Sequence, residues 1–309
     1  MELQRKPAEG RSGGRFVGRA IVGRPMAKAR PGAMPIPAER MVQAFTSPAA
    51  LERWGEDAAG VRALAPGDNV VTMFDMIGED FWSGGGVTAK KVSQQLRAIG
   101  DRPVEVQINS PGGDVFEGLA IYNVLREHPQ DITVKVMGWA ASAASLIAMA
   151  GDRIEVRAAS FIMIHNSWVV AAGNRNDMRE VADWLEPFDR AMADLYAQRS
   201  GQDAAAIAKW MDAETYMSGS IAIERGFADG LLPADAVKVD DAARASDRAV
   251  NELRALELTL VSGGMTRAQA RSRISKIKGT PGAAPEDATP GAGDEWTGLA
   301  AELLANLKS

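Results

Sequence analysis

Short apolar segments alternate with amphipathic segments through the middle of the chain. The apolar segments have the length and β-branched composition of strands, and they lie at residues 70–74, 104–108, 132–136, 153–156 and 161–164. The segments that follow them repeat apolar residues three and four positions apart, which predicts helices with one buried face. Thr88 and Asp114 are the expected N-caps of two of these helices, and a longer, protruding helix is predicted at residues 175–199. This alternation predicts an α/β fold with largely parallel strands.

The two ends of the chain differ from this central part. Residues 1–45 are rich in arginine, glycine and proline without a periodic apolar pattern, which predicts a basic, disordered arm, with Met34 or Met41 as an alternative start of the protein. We expect the α/β domain to cover residues 66–240. Residues 241–309 are then a helical tail, in which a Gly/Pro/Ala linker from Lys278 precedes a short amphipathic helix at residues 296–307. This last helix is expected to dock on a protein partner.

Composition narrows the class of protein. The chain has 309 residues, enough for one large domain or two small ones, and it has no cysteine, which excludes disulfides, thiolate metal sites and cysteine nucleophiles. No apolar run approaches the roughly 20 residues needed to cross a bilayer. We therefore expect a cytoplasmic protein without a membrane partner. The formal net charge of −5, and basic residues interleaved with almost no aromatic ones, make a nucleic-acid partner an unfavoured interpretation.

Three loops carry candidate chemistry. The Asn-Ser-Pro-Gly-Gly sequence at residues 109–113 follows a strand, and its glycines allow a backbone N–H to turn toward a ligand oxygen. Ser142 lies among alanines at a predicted helix start, where N–H groups have no partner. His165 ends an apolar strand and is one of two histidines; the other, His128, is expected to be a solvated helix end. Taken singly, these features also fit a tight turn, a close-packed helix and a buried core histidine.

Together the three loops would supply the parts of a serine hydrolase. Serine is a weak nucleophile until a base accepts its proton, and imidazole does so near neutral pH. A carboxylate must then orient the imidazole, and Asp212 and Glu214 are the downstream candidates. Asp152 and Glu155 would instead give the residue order of α/β-hydrolases, but that family places its serine in Gly-x-Ser-x-Gly, which residues 140–144 do not match.

Ordered blocks at residues 108–113, 140–142, 163–165, 214–218 and 224–229 resemble the ClpP serine peptidase family, over about residues 70–232. The resemblance implies a crotonase-like spiral of ββα units, a Ser-His-acid triad and homo-oligomeric rings that enclose the active sites. By position it implies Ser142 as nucleophile, His165 as base and Glu214 as acid, with Asp212 as the alternative acid. It also implies an oxyanion hole formed by the N–H groups of Gly113 and Ala143, and chemistry that needs no metal or organic cofactor.

Several positions depart from the family pattern. Glu214 replaces the usual aspartate, Ala143 and Ala144 replace Met-Gly after the nucleophile, and Asn166 and Ser167 replace Gln-Pro after the histidine. With the added tail, these departures resemble the phage and prophage head maturation proteases of the family. We therefore expect a serine endopeptidase that processes capsid or scaffold proteins, in the bacterial host cytoplasm or within the prohead.

Three alternatives remain open at this stage. They are a general ClpP-type peptidase that works with an ATP-dependent unfoldase, a crotonase-like acyl-CoA enzyme and a catalytically idle scaffold subunit. The predicted helix at residues 175–199 carries an apolar stripe that is expected to interdigitate with a second ring or to be buried within the monomer. The stripe consists of Met178, Val181, Leu185, Phe188, Met192 and Leu195.

Overall fold

The computed structural model describes residues 42–44, 46–63, 68–233 and 237–278. Most of the predicted basic arm, the Gly/Pro/Ala linker and the terminal amphipathic helix lie outside the described residues. The strands are β1 Val42–Ala44, β2 Val61–Ala63, β3 Val70–Met73, β4 Val104–Ser110, β5 Ile132–Ala141, β6 Arg153–Val156, β7 Phe161–Ile164, β8 Val169–Ala171, β9 Thr215–Ser218, β10 Gly230–Leu231 and β11 Val237–Val239. The helices are α1 Pro48–Asp57, α2 Ala89–Ile99, α3 Val115–Arg126, α4 Ala143–Ala148, α5 Arg175–Ser200, α6 Ala204–Asp212, α7 Gly219–Glu224, α8 Asp241–Ser262 and α9 Arg267–Lys278.

A mainly parallel sheet forms the centre of the fold, in the strand order β10-β6-β5-β4-β3. The strands on this path pair in parallel, which confirms the predicted α/β class. β4 and β5 are almost wholly buried, as expected for strands covered on both faces. β5 is longer than predicted: its first half pairs with β6, and its last residues pair with β7, which in turn pairs antiparallel with β9. This extension carries the strand directly to the predicted nucleophile.

The predicted helix starts are present. Thr88 Oγ1 accepts a hydrogen bond from the backbone N–H of Lys91 at the start of α2. The Asp114 carboxylate accepts from the N–H groups of Phe116 and Glu117 at the start of α3. Each side chain satisfies donors that a helix start otherwise leaves unpaired. The two helices therefore begin where the sequence predicted them to.

The long helix α5 buries only part of its apolar stripe. Phe188 and Met192, in its second half, are 6% and 4% exposed within a single chain, whereas Met178, near its start, is 37% exposed. The second half of the stripe is therefore core, the simpler of the two interpretations. Contact with a second ring remains a prediction for the first half of the helix.

The helices α8 and α9 pack against the rest of the chain. Asn251 of α8 donates a hydrogen bond to the carbonyl of Leu51 in α1, and Asp247 accepts one from the N–H of Gly60. β11, just before α8, pairs antiparallel with β2. The first part of the predicted tail is thus packed onto the α/β domain. None of the helices in the described ranges is both long enough and apolar enough to span a bilayer.

Candidate active site

Ser142 occupies a sharp turn between β5 and α4. Its φ and ψ are 54° and −127°, a conformation that costs a residue with a Cβ about 1–3 kcal/mol. Its N–H donates to the carbonyl of Met163 in β7. Gly112 packs closely against this turn, because a Cβ added to Gly112 would lie 2.6 Å from the Ser142 Cβ. Ser142 therefore has the strand-turn-helix geometry of a nucleophile elbow, built with alanines where that motif usually has glycines.

His165 lies beside Ser142 because the strands that carry them are neighbours. β5 and β7 run in parallel, with Ala141 opposite Met163, so the residues that follow both strands meet at one edge of the sheet. Ser142 Oγ and His165 Nε2 are 2.6 Å apart. When the imidazole carries its proton on Nδ1, the serine hydroxyl donates to Nε2. The structure thus brings together the predicted nucleophile and base.

Burial controls the charge of His165. The side chain is 6% exposed, and burial lowers its pKa from 6.5 to about 4. Within the described residues, no carboxylate is hydrogen-bonded or ion-paired to its ring. The imidazole is therefore neutral near pH 7, and only the neutral form accepts a proton from serine.

The pH dependence of peptide hydrolysis should reflect this burial. While no carboxylate contacts the ring, a pKa of about 4 keeps His165 neutral at every higher pH. In a variant without the orienting acid, such as Glu214→Ala, we therefore expect kcat/KM to fall only as the pH drops toward about 4. The measurement is kcat/KM for a peptide between about pH 3.5 and 8, corrected for unfolded protein. A midpoint in that variant at the ordinary histidine value of about 6.5 or above would contradict this expectation, whereas such a midpoint in the wild type would mean that a carboxylate reaches the imidazole in the working enzyme.

Two backbone N–H groups line the same cavity as Ser142 and His165. Gly113 lines this cavity and has a φ of 151°. The Ile77 N–H donates to the carbonyl of Gly112, and the Ile77 carbonyl accepts from the N–H of Asp114. The N–H of Gly113, which lies between these two bonds, therefore faces away from Ile77. Ala143 is the first residue of α4, where N–H groups have no helical partner. Among the described residues, neither N–H donates a hydrogen bond. Both donors are therefore available for an oxyanion.

The asparagine of the predicted loop motif has a structural role. Asn109 is fully buried, and its Oδ1 accepts from Trp54 Nε1 at 3.2 Å and from the Trp139 N–H at 3.1 Å. Its Nδ2 donates to the carbonyl of Ala58 at 2.8 Å. Asn109 thus ties the C-terminal end of α1 to the sheet, and Gly113 is the residue of the motif that lines the cavity.

The predicted acids lie near His165 but do not contact it. Asp212 accepts a hydrogen bond from Asn166 Nδ2 at 2.8 Å, directly after the histidine. Glu214 adopts a left-handed backbone with a φ of 45°, and its carboxylate has no hydrogen-bond partner among the described residues. The structure therefore brings neither Glu214 nor Asp212 onto the imidazole, and the identity of the acid stays a prediction.

A third carboxylate, which the sequence analysis missed, also faces this segment. Asp189 of α5 accepts the N–H of Ser167 at 2.6 Å. Its pKa is raised by burial and, to a smaller degree, by the negative charge of Asp212, against the lowering effect of Ser167. The sequence offered one signal for this residue: Asp189 directly follows Phe188, which belongs to the apolar stripe of α5, so its carboxylate could have been expected near the buried face of the helix. Asp189 and Asp212 together hold the two residues after His165.

His128 was predicted to be solvated, and this prediction is wrong. The side chain is 6% exposed, and its Nε2 donates to the carbonyl of Arg102 at 2.8 Å. The C-terminal end of α3 packs against the loop that precedes β4, so the imidazole of His128 bonds to a backbone carbonyl of that loop instead of to water. His128 is a structural histidine and is not among the residues that line the Ser142 cavity.

The cavity at Ser142 has an apolar wall contributed by α3 and α5. Phe116 and Phe188 pack edge to face with ring centroids 5.2 Å apart, and Trp184 packs on Phe188 at 5.1 Å. Leu185 and Met192 complete this side of the cavity. A substrate side chain that enters here would leave water for an aromatic and aliphatic surface.

Comparisons with known proteins place these features in context. A family model described as Clp protease matches residues 86–235. The chain is 34% identical over 134 residues to the ATP-dependent Clp protease proteolytic subunit of Ligilactobacillus salivarius, covering 43% of this chain and 68% of the relative. It is 33% identical over 159 residues to the ATP-dependent Clp protease proteolytic subunit 1 of Prochlorococcus marinus, covering 49% and 81% respectively. A solved structure of a ClpP1 point mutant from Listeria monocytogenes covers 54% of this chain and 93% of its own, with a TM-score of 0.47 and 23% identity.

Proposed function

The chain belongs to the Clp protease family of serine peptidases, and from this premise we propose that it is an endopeptidase with Ser142 as nucleophile and His165 as general base. The observation that carries the proposal is the 2.6 Å hydrogen-bond distance between Ser142 Oγ and His165 Nε2. The pair lines a cavity that Gly113 and Ala143 also line. This shared cavity supports the assignment of nucleophile, base and oxyanion donors to one site, in which the scissile carbonyl would bind.

The proposed reaction follows acyl-transfer chemistry. Ser142 Oγ bonds to the scissile carbonyl carbon while its proton moves to His165 Nε2, and the carbonyl oxygen becomes an oxyanion held by the Gly113 and Ala143 N–H groups. The C–N bond then breaks, and the amine leaves with the proton from His165. Water, deprotonated by His165, hydrolyses the acyl-enzyme in the same way. Loss of one oxyanion donor typically lowers the rate about 100- to 1,000-fold, and the scheme needs no metal or organic cofactor.

The apolar wall beside Ser142 supports cleavage next to a large apolar residue. We expect peptides with leucine or phenylalanine before the scissile bond to be hydrolysed at least about 10-fold faster, in kcat/KM, than matched peptides with aspartate there, since a buried unpaired charge is costly. The measurement is hydrolysis of a fluorogenic peptide pair, with fluorophosphonate labelling of Ser142 in parallel. Labelling without hydrolysis of any peptide would contradict the proposal, and absence of both would favour the acyl-CoA or idle-subunit alternatives.

The finer proposal concerns the substrate. We propose that this peptidase processes capsid or scaffold proteins during phage head maturation, as a homo-oligomeric ring in the host cytoplasm or the prohead. The departures around the nucleophile and histidine support it, as do structured parts of the chain outside the matched segment, among them α1, α8 and α9. These parts enlarge the molecule without contributing to the Ser-His pair, so a role in recognition of a particular protein substrate suits them.

A second candidate is a proteolytic subunit that degrades unfolded proteins together with an ATP-dependent unfoldase. The observation that favours it is the name of the relatives, which are ATP-dependent Clp protease proteolytic subunits. In that case the substrate would be any protein chain that the unfoldase delivers, and ATP would be needed for proteins but not for short peptides.

Cleavage of two protein substrates separates these candidates. We expect the full chain to cut prohead-like assemblies of capsid and scaffold protein without ATP, and truncation after Gly279 to impair this cleavage while peptide hydrolysis stays within about 2-fold. The reason is that the short amphipathic helix that the sequence predicts at residues 296–307, outside the described residues, would be marginal in water unless its apolar face docked. Gel analysis of the assemblies is the measurement. ATP- and unfoldase-dependent degradation of a folded reporter, with intact proheads, would instead support the second candidate.

A further inference from the structure

The direction of the Gly113 N–H depends on the position of Ile77. The Ile77 N–H donates to the carbonyl of Gly112 at 2.8 Å, and the Ile77 carbonyl accepts from the N–H of Asp114 at 2.9 Å. These two bonds bracket Gly113. The contact leaves no room for a side chain, because a Cβ on Gly113 would lie 2.1 Å from the Ile77 carbonyl oxygen. A shift of Ile77 would therefore rotate the peptide that is proposed to bind the oxyanion.

Ile77 belongs to a loop, residues 75–87, that is organised around the carboxylate of Asp75. That carboxylate accepts hydrogen bonds from the N–H groups of Met76 and Gly86 and from the Ser83 hydroxyl, at 2.7, 3.1 and 2.8 Å. Val87 closes the loop through backbone bonds with Met76 and Gly78. Asp75 thus connects both ends of the loop. A cation beside this carboxylate would add charge-assisted contacts to the three hydrogen bonds.

Arg254 of α8 supplies that cation. Its Nη2 donates to Asp75 Oδ1 at 2.6 Å and to Asp80 Oδ2 at 2.9 Å, and its Nε lies 3.3 Å from Asp80 Oδ1. The Arg254 side chain is 7% exposed and that of Asp80 is 9% exposed, so solvent screens the pair only weakly. Burial by itself would raise the pKa of Asp80, but the hydrogen bond and charge of Arg254, with help from Ser83, lower it. The fork of the guanidinium therefore joins two points of the loop to α8.

We propose that Arg254 is a positioning residue for catalysis: through Asp75 and Asp80 it fixes the loop at residues 75–87, and through Ile77 it sets the orientation of the Gly113 N–H. The inference rests on the proposed function, since it assigns a task to the same oxyanion site. Arg254, Asp75 and Asp80 all lie outside the segment at residues 86–235 that matches the family model. Through Arg254, α8 then helps to position the oxyanion site, although this helix is distant in sequence from Ser142.

The chain offers a matched control on the same helix. Asn251 is 8% exposed, close to the value for Arg254, and its Nδ2 donates to the carbonyl of Leu51 at 2.7 Å. It docks α8 on α1 and has no hydrogen bond to the loop at residues 75–87 in the described part of the chain. Asn251→Ala should therefore loosen α8 as Arg254→Ala does, without releasing Ile77.

The test compares Arg254→Ala, Arg254→Lys and Asn251→Ala in the full-length chain. We expect Arg254→Ala to lower kcat for peptide hydrolysis by about 10- to 100-fold, short of complete loss of an oxyanion donor, with KM within about 2-fold of wild type. Affinity for a peptide aldehyde, whose hemiacetal oxygen occupies the oxyanion site, should fall in parallel with kcat. Lysine keeps the charge but not the fork, so Arg254→Lys should give an intermediate kcat. Asn251→Ala should lower the melting temperature and leave kcat within about 2-fold.

Each result decides the inference. Equal kcat values in Arg254→Ala and Asn251→Ala, measured at a temperature where both are folded, would overturn the inference. An Arg254→Ala variant in which only KM rises, with kcat and aldehyde affinity unchanged, would overturn it too. If Arg254→Ala does not fold, Arg254→Lys decides, and a wild-type kcat in that variant overturns the inference. Wild-type protein that neither hydrolyses peptides nor reacts with a fluorophosphonate would overturn the proposed function, and this inference with it.

Discussion

Ser142→Ala and His165→Ala are each expected to lower kcat for peptide hydrolysis by about 10⁶-fold, because nucleophile and base act as a unit and the loss of either removes the whole pathway. The 2.6 Å contact between their side chains is the structural basis. The double variant should be no worse than either single variant. Fluorogenic peptide turnover and sedimentation of the purified variants measure activity and assembly, and we expect assembly to be unchanged.

Ser145→Ala is the matched control for the serine. Ser145 lies one turn beyond the nucleophile, where its hydroxyl donates to the Ser142 carbonyl at 2.6 Å and contacts the Tyr196 hydroxyl at 2.7 Å. Its removal leaves the buried Tyr196 hydroxyl without this partner, which we expect to cost about 1–3 kcal/mol of stability. Turnover should stay within about 10-fold of wild type. Near-normal turnover in Ser142→Ala or His165→Ala would refute the proposed nucleophile and base.

The second large effect is expected at Glu214. We expect Glu214→Ala to lower kcat about 10⁴-fold, the typical loss when the orienting acid of a serine protease is removed, and Asp212→Ala to lower it only mildly. The ranking agrees with the hydrogen bonds: the Asp212 carboxylate is already engaged by Asn166, whereas that of Glu214 has no hydrogen-bond partner among the described residues. The Glu214 carboxylate is therefore free to move, and a small shift at the start of β9 would let it approach the imidazole.

Four variants and one pH profile of kcat/KM test this assignment. Glu214→Gln preserves shape and should be almost as inactive as Glu214→Ala, while Asp189→Asn serves as a control for carboxylates that only hold the backbone after His165. The reverse ranking of Glu214 and Asp212 would move the role to Asp212. Small effects at both positions would indicate a Ser-His dyad, in agreement with the low pKa of His165. A variant that lowers the midpoint of the acidic limb of kcat/KM identifies the acid directly.

The sequence predicted the elements well because their signals are local. β6 and β7 have the predicted bounds, α5 runs from Arg175 to Ser200 against a predicted 175–199, and Thr88 and Asp114 cap helices as expected. Apolar periodicity and helix capping depend on residues within a few positions of each other, so contacts with distant segments change the bounds of these elements only slightly. Ser142, His165, Gly113 and Ala143 also came from the sequence, through loop position and family resemblance.

What the sequence could not provide was contact between distant segments. Arg254 lies 179 residues from Asp75, and Asn166 lies 46 residues from Asp212, and no periodic pattern links such pairs. The same reason explains the incorrect prediction for His128, whose partner is a backbone carbonyl of another segment. Sequence alone determined the α/β alternation and predicted the residues that would carry the chemistry. Only the tertiary structure decided which carboxylates bind the residues after His165 and which loop supports Gly113, because those contacts form when the packed core brings distant segments together.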